Sequence, residues 1–172
     1  TLSLHDALPI WDTKVLLDAQ RQFPSVFVAV GDNQIRAEKL ELLQSHGFDT
    51  PSLIHPQASV STHCLVGEGC IVMAGACIST GSEIGCGCII NTGATVDHDC
   101  TIAPSVHVCP GVNLAGHVAI GELAWIGIGS CVNQCITIGR RAVIGAGAVV
   151  VQDIQDNVVA YGNPARPSKR AP

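Results

Sequence analysis

Ile84-Gly-Cys-Gly-Cys-Ile-Ile90-Asn-Thr-Gly-Ala-Thr-Val96-Asp-His-Asp-Cys-Thr-Ile102 carries a branched aliphatic side chain at every sixth position. Followed outward in both directions, the same register runs without a gap from Val60, Val66, Val72 and Ile78 through Ile138 and Ile144 to Val150. Four residues after each aliphatic lies a second, mostly small series, from Cys64, Cys70 and Ala76 to Ala142 and Ala148, and glycine often follows the aliphatic, as at Gly67 and Gly121. An amphipathic helix needs a period near 3.6, so a period of six excludes it. Hexapeptide repetition is instead the sequence mark of a parallel β-helix. The large aliphatic fills the interior, the small residue leaves room where faces converge, and stacked coils satisfy one another's backbone at about 4.8 Å spacing.

Composition fits that reading. The 172 residues hold 18 glycines against six aromatics, so the core must be filled by aliphatic and small side chains. Hydrophobic residues make up 47% and charged residues 13%, which argues against disorder. The net charge of −5 leaves no basic stripe for nucleic acid. No run of eighteen apolar residues exists to span a membrane, and Thr1–Ile10 does not read as a signal peptide. Nine cysteines, an odd number without a CxxC pair, read as buried free thiols in a reducing cytoplasm, where they act as small apolar fillers.

The hexad run resembles the left-handed hexapeptide-repeat acyltransferases. The resemblance implies a three-sided left-handed prism with three hexads per coil, a homotrimer, and acetyl-coenzyme A held in the groove between neighbouring prisms. Its handedness departs from the usual right-handed crossover. The expected organisation is mainly β: a small partial α/β (Rossmann-like) segment at 1–59, the left-handed parallel β-helix at 60–154, and a C-terminal loop or cap at 155–172. In the first segment, Val26–Val30 reads as a buried strand ended by Gly31-Asp32-Asn33. Gln34–His46 reads as a helix stopped by Gly47, and Leu53-Ile54-His55-Pro56 as a returning strand or connector.

Ala29-Val-Gly-Asp-Asn-Gln-Ile-Arg36 followed by the prism closely resembles the sialic-acid O-acetyltransferase-like family, which includes bacterial enzymes that N-acetylate nucleotide-linked amino sugars. In that family a glycine after this strand lies near the nucleotide, so the resemblance assigns Gly31 to substrate binding. Members open with a glycine-rich G-x-S-G-H-G turn, whereas no glycine precedes Gly31 here. A backbone without those glycines does not approach a pyrophosphate closely. Either the true start is missing and Thr1–Ile10 is foreign sequence, the reading adopted, or that half of the substrate site was lost.

Of the seven histidines, His98 lies in the most polar coil, with Asp97 and Asp99 beside it. Acetyl transfer from a thioester requires an amine or hydroxyl to lose a proton, and neutral imidazole takes one near pH 7. The family motif is Asn, six residues, His and then an acidic residue, which Asn91, His98 and Asp99 match. The resemblance therefore implies His98 as general base, Asp99 as its orienting partner and Asn91 at the substrate. Adjacent strand residues point to opposite sides, so His98 and Asp99 meet only at a corner or bulge, and Asp97 is a rival partner. Gly116, eighteen residues on, stacks beside His98, and its amide would face an oxyanion. By resemblance, His107, Ile128 and Ala146 contact the cofactor, Gly162–Arg166 closes the prism near the cofactor's nucleotide end, and no metal is expected. His117 stacks over Asp99 without an assigned role.

The expected function is transfer of acetyl from acetyl-CoA to the amino group of a nucleotide-linked amino sugar. The alternatives are O-acetylation of sialic acid or another sugar hydroxyl, a carbonic-anhydrase-like metal prism using His98, His107 and His117, and a non-catalytic trimeric scaffold. A covalent route through Cys100 or Cys109 is disfavoured: Cys100 fills an interior slot, and nothing beside Cys109, an exposed position on this reading, activates a thiolate.

Overall fold

The structure is a computed structural model that describes residues 13–18 and 20–170, so the reading of Thr1–Ile10 falls outside it. Each hexad forms a two-residue strand and a corner, repeated without interruption from β2 (Ser59–Val60) to β17 (Val149–Val150). Strands eighteen residues apart pair in parallel, as in Ile89↔His107↔Trp125 and Thr95↔Asn113↔Cys131. Three sheets of eight, six and five strands result, and they form the sides of a prism. The aliphatics point inward: Val72, Ile90, Ile126 and Ile138 are wholly buried, as are their small companions Cys88, Ala94, Cys100 and Ala124. The interior thiols also hydrogen-bond. Cys70, Cys88 and Cys100 donate to the carbonyls of Gly85, Ala103 and Ala115 at 3.1–3.2 Å, which suits cysteine as a slightly polar filler.

Several boundaries differ from expectation. β1 (Leu53–Ile54) pairs with β4 (Ile71–Val72), so the supposed connector is the first rung of the prism. The C-terminal cap is a hairpin rather than a loop. Its first strand, β18 (Val158–Tyr161), extends the eight-stranded sheet beyond β16 (Val143–Ile144), and β19 (Arg166–Arg170) pairs antiparallel with it. The hairpin covers the last prism rung of this sheet and leaves β19 as its terminal strand. Val26–Val30 forms no ladder; Ser25, just before it, makes a bridge to Asp49. The described residues offer that segment no partner strand, so its apolar run is not enough to build a sheet.

α2 (Asn33–Ser45) lies along one edge of the prism. Thirteen residues at about 1.5 Å each span about 20 Å, close to four coil spacings of about 4.8 Å. That edge carries Gly69, Gly87, Ser105, Leu123 and Arg141, one per coil and all in the left-handed region. Leu40 packs where Cβ atoms on Gly69 and Gly87 would otherwise sit. Arg36, 1% exposed, places all five of its N–H groups. It donates to Gly87 O (2.7 Å), Val30 O, Gly31 O and Ser105 O (3.0 Å each) and Asn33 Oδ1 (2.8 Å). Asn33 in turn donates to Leu123 O and Ala124 O at 3.0 and 2.9 Å. A buried guanidinium without a carboxylate is tolerated because five oxygen dipoles replace its water. Asp32 caps the helix by accepting from Ile35 N at 2.9 Å.

Candidate active site

A second edge of the prism carries Gly81, Asp99, His117 and Cys135, one per coil. Asp99 has φ 56°, the left-handed region that a short polar side chain tolerates. This turn removes the difficulty posed by strand alternation: the corner swings Asp99 back so that its Oδ2 lies 2.8 Å from Nδ1 of His98. Asp97 is not the ring's partner. Its Oδ1 accepts instead from the His98 backbone N–H at 2.8 Å. Both members of the pair are about half exposed, 48% and 50% for their side chains. The hydrogen bond to Asp99 holds the His98 imidazole above its ordinary value; desolvation opposes it, and the charges of Asp97 and Asp99 add lesser upward contributions. With Nδ1–H donated to the carboxylate, Nε2 is left as the free acceptor.

The His98 ring lies over Gly116 of the next coil. A Cβ on Gly116 would stand 2.6 Å from Nε2 and 2.7 Å from Cε1, so only glycine fits beneath the ring. Among the described residues no backbone carbonyl accepts from the Gly116 N–H, because the first residue of each corner lies outside the ladder. Proline occupies the equivalent places at 104 and 110, where no donor is needed.

The remaining candidates fall on other parts of the surface. Asn91 and His107 meet, with Asn91 Nδ2 3.1 Å from His107 Nε2. His107 is 7% exposed and packs at 4.3 Å against Trp125. Burial and then the Arg36 charge push its imidazole below the ordinary value, while the nearby Gly31 backbone acts the other way. Nδ1 of His107 nevertheless has no hydrogen-bond partner among the described residues. The structure thus groups His107 with Asn91 and Gly31, not with the other two expected cofactor residues. Gly31 is also tied to Arg36.

Ile128 and Ala146 stack on the third edge, both exposed, Ile128 at 60%. There the left-handed position is glycine in five successive coils, Gly75, Gly93, Gly111, Gly129 and Gly147. The other edges place Asp, His, Ser, Leu and Arg in that conformation, so backbone angle alone does not demand glycine. Cβ atoms on Gly93, Gly129 and Gly147 would meet nothing within 4 Å, so this edge presents bare backbone to the outside. A cavity of about 340 Å³ lies between the start of α2 and the prism, lined by Asp32, Asn33, Trp125 and Arg141 among others.

The two thiols weighed for a covalent route, Cys109 and Cys100, do not suit nucleophilic chemistry. Cys109 is 1% exposed, contrary to the expectation that it reaches the surface, and burial pushes it up to about 11. Cys100 is likewise raised by burial.

No family model matches the chain. The acetyltransferase domain of PglB from Neisseria gonorrhoeae FA1090 is similar with a TM-score of 0.89 and 44% identity, over 95% of this chain and 80% of that one. This chain belongs to the hexapeptide-repeat acetyltransferase family. A mutant of perosamine N-acetyltransferase from Caulobacter crescentus, in complex with CoA and GDP-perosamine, gives a TM-score of 0.94 at 40% identity, over 98% and 81% of the two chains. The prism is therefore the left-handed β-helix of hexapeptide-repeat acetyltransferases. Galactoside O-acetyltransferase of Escherichia coli (strain K12) is 49% identical over 49 residues, 28% of this chain and 24% of that protein. The chain spans about a quarter of the length of the curated relatives it matches.

His98, Asp99 and Gly116, candidates already in the sequence, are brought together by the fold, whereas no pattern in the sequence singles out Arg36, Asn33 or Trp125. Arg36 and Asn33 stood in the quoted Gly31–Arg36 stretch. Their partners on the prism lie 51 to 91 residues away, beyond the reach of any local pattern.

Proposed function

We propose that this chain transfers acetyl from acetyl-CoA to the amino group of a nucleotide-linked amino sugar, directly and with His98 as general base. The observation that carries the reading is the His98–Asp99 pair lying over the open Gly116 amide. The amine nitrogen attacks the thioester carbonyl carbon while Nε2 of His98 takes its proton. Asp99 holds the opposite ring nitrogen and the developing imidazolium. The Gly116 N–H faces the oxyanion of the tetrahedral intermediate. Collapse breaks the carbon–sulfur bond, and the proton on His98 passes to the departing thiolate to give CoA and the N-acetyl sugar.

The nature of the acceptor rests on the perosamine enzyme crystallised with CoA and GDP-perosamine, and that of the donor on a PglB domain complex with acetyl coenzyme A. The bare glycine edge at Ile128 and Ala146 suits a cofactor lying against backbone, with His107 as a further contact. Asn91 and Gly31 would face the sugar nucleotide. His98 and Ile128 stand on different edges of one prism, so a homotrimer that apposes one protomer's His98 edge to its neighbour's glycine edge completes the site. No helix among the described residues is long and apolar enough to cross a membrane. We place the protein in the cytoplasm, where nine free cysteines remain reduced.

The match to galactoside O-acetyltransferase favours sugar hydroxyls as a second class of acceptor. A panel of nucleotide amino sugars and free hydroxyl sugars, assayed with acetyl-CoA, separates the two. His98→Ala should lower kcat on the accepted substrate by about 10²–10⁴-fold without changing oligomeric state or CoA binding. Full turnover in that variant would refute the assignment.

A further inference from the structure

We propose that His98, Asp99 and His117 together bind a borderline-soft divalent transition-metal ion such as Zn²⁺, and that the bound ion blocks acetyl transfer. The inhibitory half rests on His98 being the base; the binding half does not. The three side chains come from two stacked coils, and each offers one donor atom within 4.8 Å of the others. Among the described residues no other three His, Cys, Asp or Glu side chains converge in this way. Asp99 Oδ2 lies 2.8 Å from His98 Nδ1 and 3.7 Å from His117 Nε2, so one carboxylate oxygen is close to a nitrogen of each ring. The rings meet edge to face with centroids 5.1 Å apart. The sequence-level trio of His98, His107 and His117 is not the cluster, because His107 is committed to Asn91 and Trp125 on another part of the surface.

Two imidazoles and a carboxylate are the donor types that hold Zn²⁺ with one position open to water. The frame beneath them is rigid. His117 N donates to His98 O and Asp99 N to Thr80 O, both at 3.0 Å, so the coils fix the donor backbones before any ion arrives. The proposed transfer makes no use of His117. Asp97, in the same coil, adds negative charge beside the donors. Either mode of ligation by His98 removes the base. Through Nε2 the ion occupies the lone pair that accepts the substrate proton. Through Nδ1 it takes the place of the hydrogen donated to Asp99, and the neutral ring then holds its single N–H hydrogen on Nε2, which can accept no proton.

Equilibrium dialysis of the full chain against Zn²⁺, with a non-chelating reductant present, tests the binding. Wild type should hold one ion per chain that His117→Asn binds about tenfold or more weakly. Asparagine keeps the left-handed backbone at this corner, where φ is 57°. Cys135→Ser should bind as wild type, and the Co²⁺ form should show d–d bands without a thiolate charge-transfer band. Equal binding by wild type and His117→Asn, or a thiolate spectrum, would overturn the site. In the acetyl-transfer assay Zn²⁺ should inhibit wild type reversibly, EDTA restoring activity. The midpoint should rise about tenfold or more in His117→Asn, whose metal-free turnover stays at the wild-type level. Stoichiometric binding through His117 without inhibition would overturn the blocking role. Binding by a chain that acetylates no acceptor would leave the metal site standing and reject the acetyltransferase reading instead.

Discussion

Nε2 of His98 lies 2.6 Å from where a Cβ on Gly116 would stand, although the two residues are eighteen apart in sequence. The coil repeat turns that separation into direct stacking. Gly116 is not in the left-handed region, so its backbone accepts alanine and the only obstacle is the imidazole. Gly116→Ala should therefore fold and assemble normally while displacing the His98 ring. A displacement of about 1 Å costs on the order of 10²-fold in turnover. Steady-state kinetics on a variant with unchanged circular dichroism checks this, and an unimpaired kcat would place the working ring elsewhere.

The pH profile reports on the Asp99 contact. Neutral imidazole is the working form, so activity falls as pH drops through the His98 value, which its hydrogen bond to Asp99 raises. Asp99→Asn removes the main cause of that rise, and the acid limb should move to lower pH. The plateau should fall about ten- to a hundredfold as the ring loses its orienting carboxylate. Asp97→Asn, which alters a charge but no ring contact, should shift the limb less and leave the plateau near wild type. Equal effects of the two substitutions would contradict Asp99 as the partner.

Arg36 joins α2 to the prism through five oxygens and is itself 1% exposed. A lysine has three donors on a single nitrogen and cannot reach this set. Arg36→Lys should lose about 2–4 kcal/mol from the docking of the helical segment, since several buried carbonyls are left unpaired. Limited proteolysis should cut within 20–50 before the prism is touched, and urea melts should show the loss. An unchanged melt with wild-type protease resistance would mean that the guanidinium carries no such weight.

Thiol reactivity should follow burial. Native alkylation with mass-spectrometric readout should label exposed Cys86, Cys131 and Cys135 early and spare Cys70, Cys88, Cys100 and Cys109. Cys109→Ala should keep acetyl transfer within about twofold, as expected of a thiol held near 11 by burial. Loss of turnover in Cys109→Ala at intact fold would revive a covalent route.

The hexapeptide register alone specifies the prism. A period of six, kept for sixteen hexads from Val60 to Val150, encodes strand, corner and interior at once, because each hexad repeats one local solution and neighbours bury it. The same register sets Gly116 beside His98, since residues eighteen apart stack, whereas His98 and Asp99 stand out through the polar coil and the motif that they share with Asn91. Which carboxylate meets the imidazole is legible only in the folded structure, because it depends on the left-handed φ of Asp99 and not on adjacency. The folded structure alone showed Cys109 to be buried, and showed that Val26–Val30, though apolar enough for a strand, pairs through little more than Ser25. The burial of Arg36 was hidden for the same reason. Its partners at Gly87 and Ser105 lie on coils that only the docked helix brings near, and contacts between a repeat and a non-repeating segment leave no period to read.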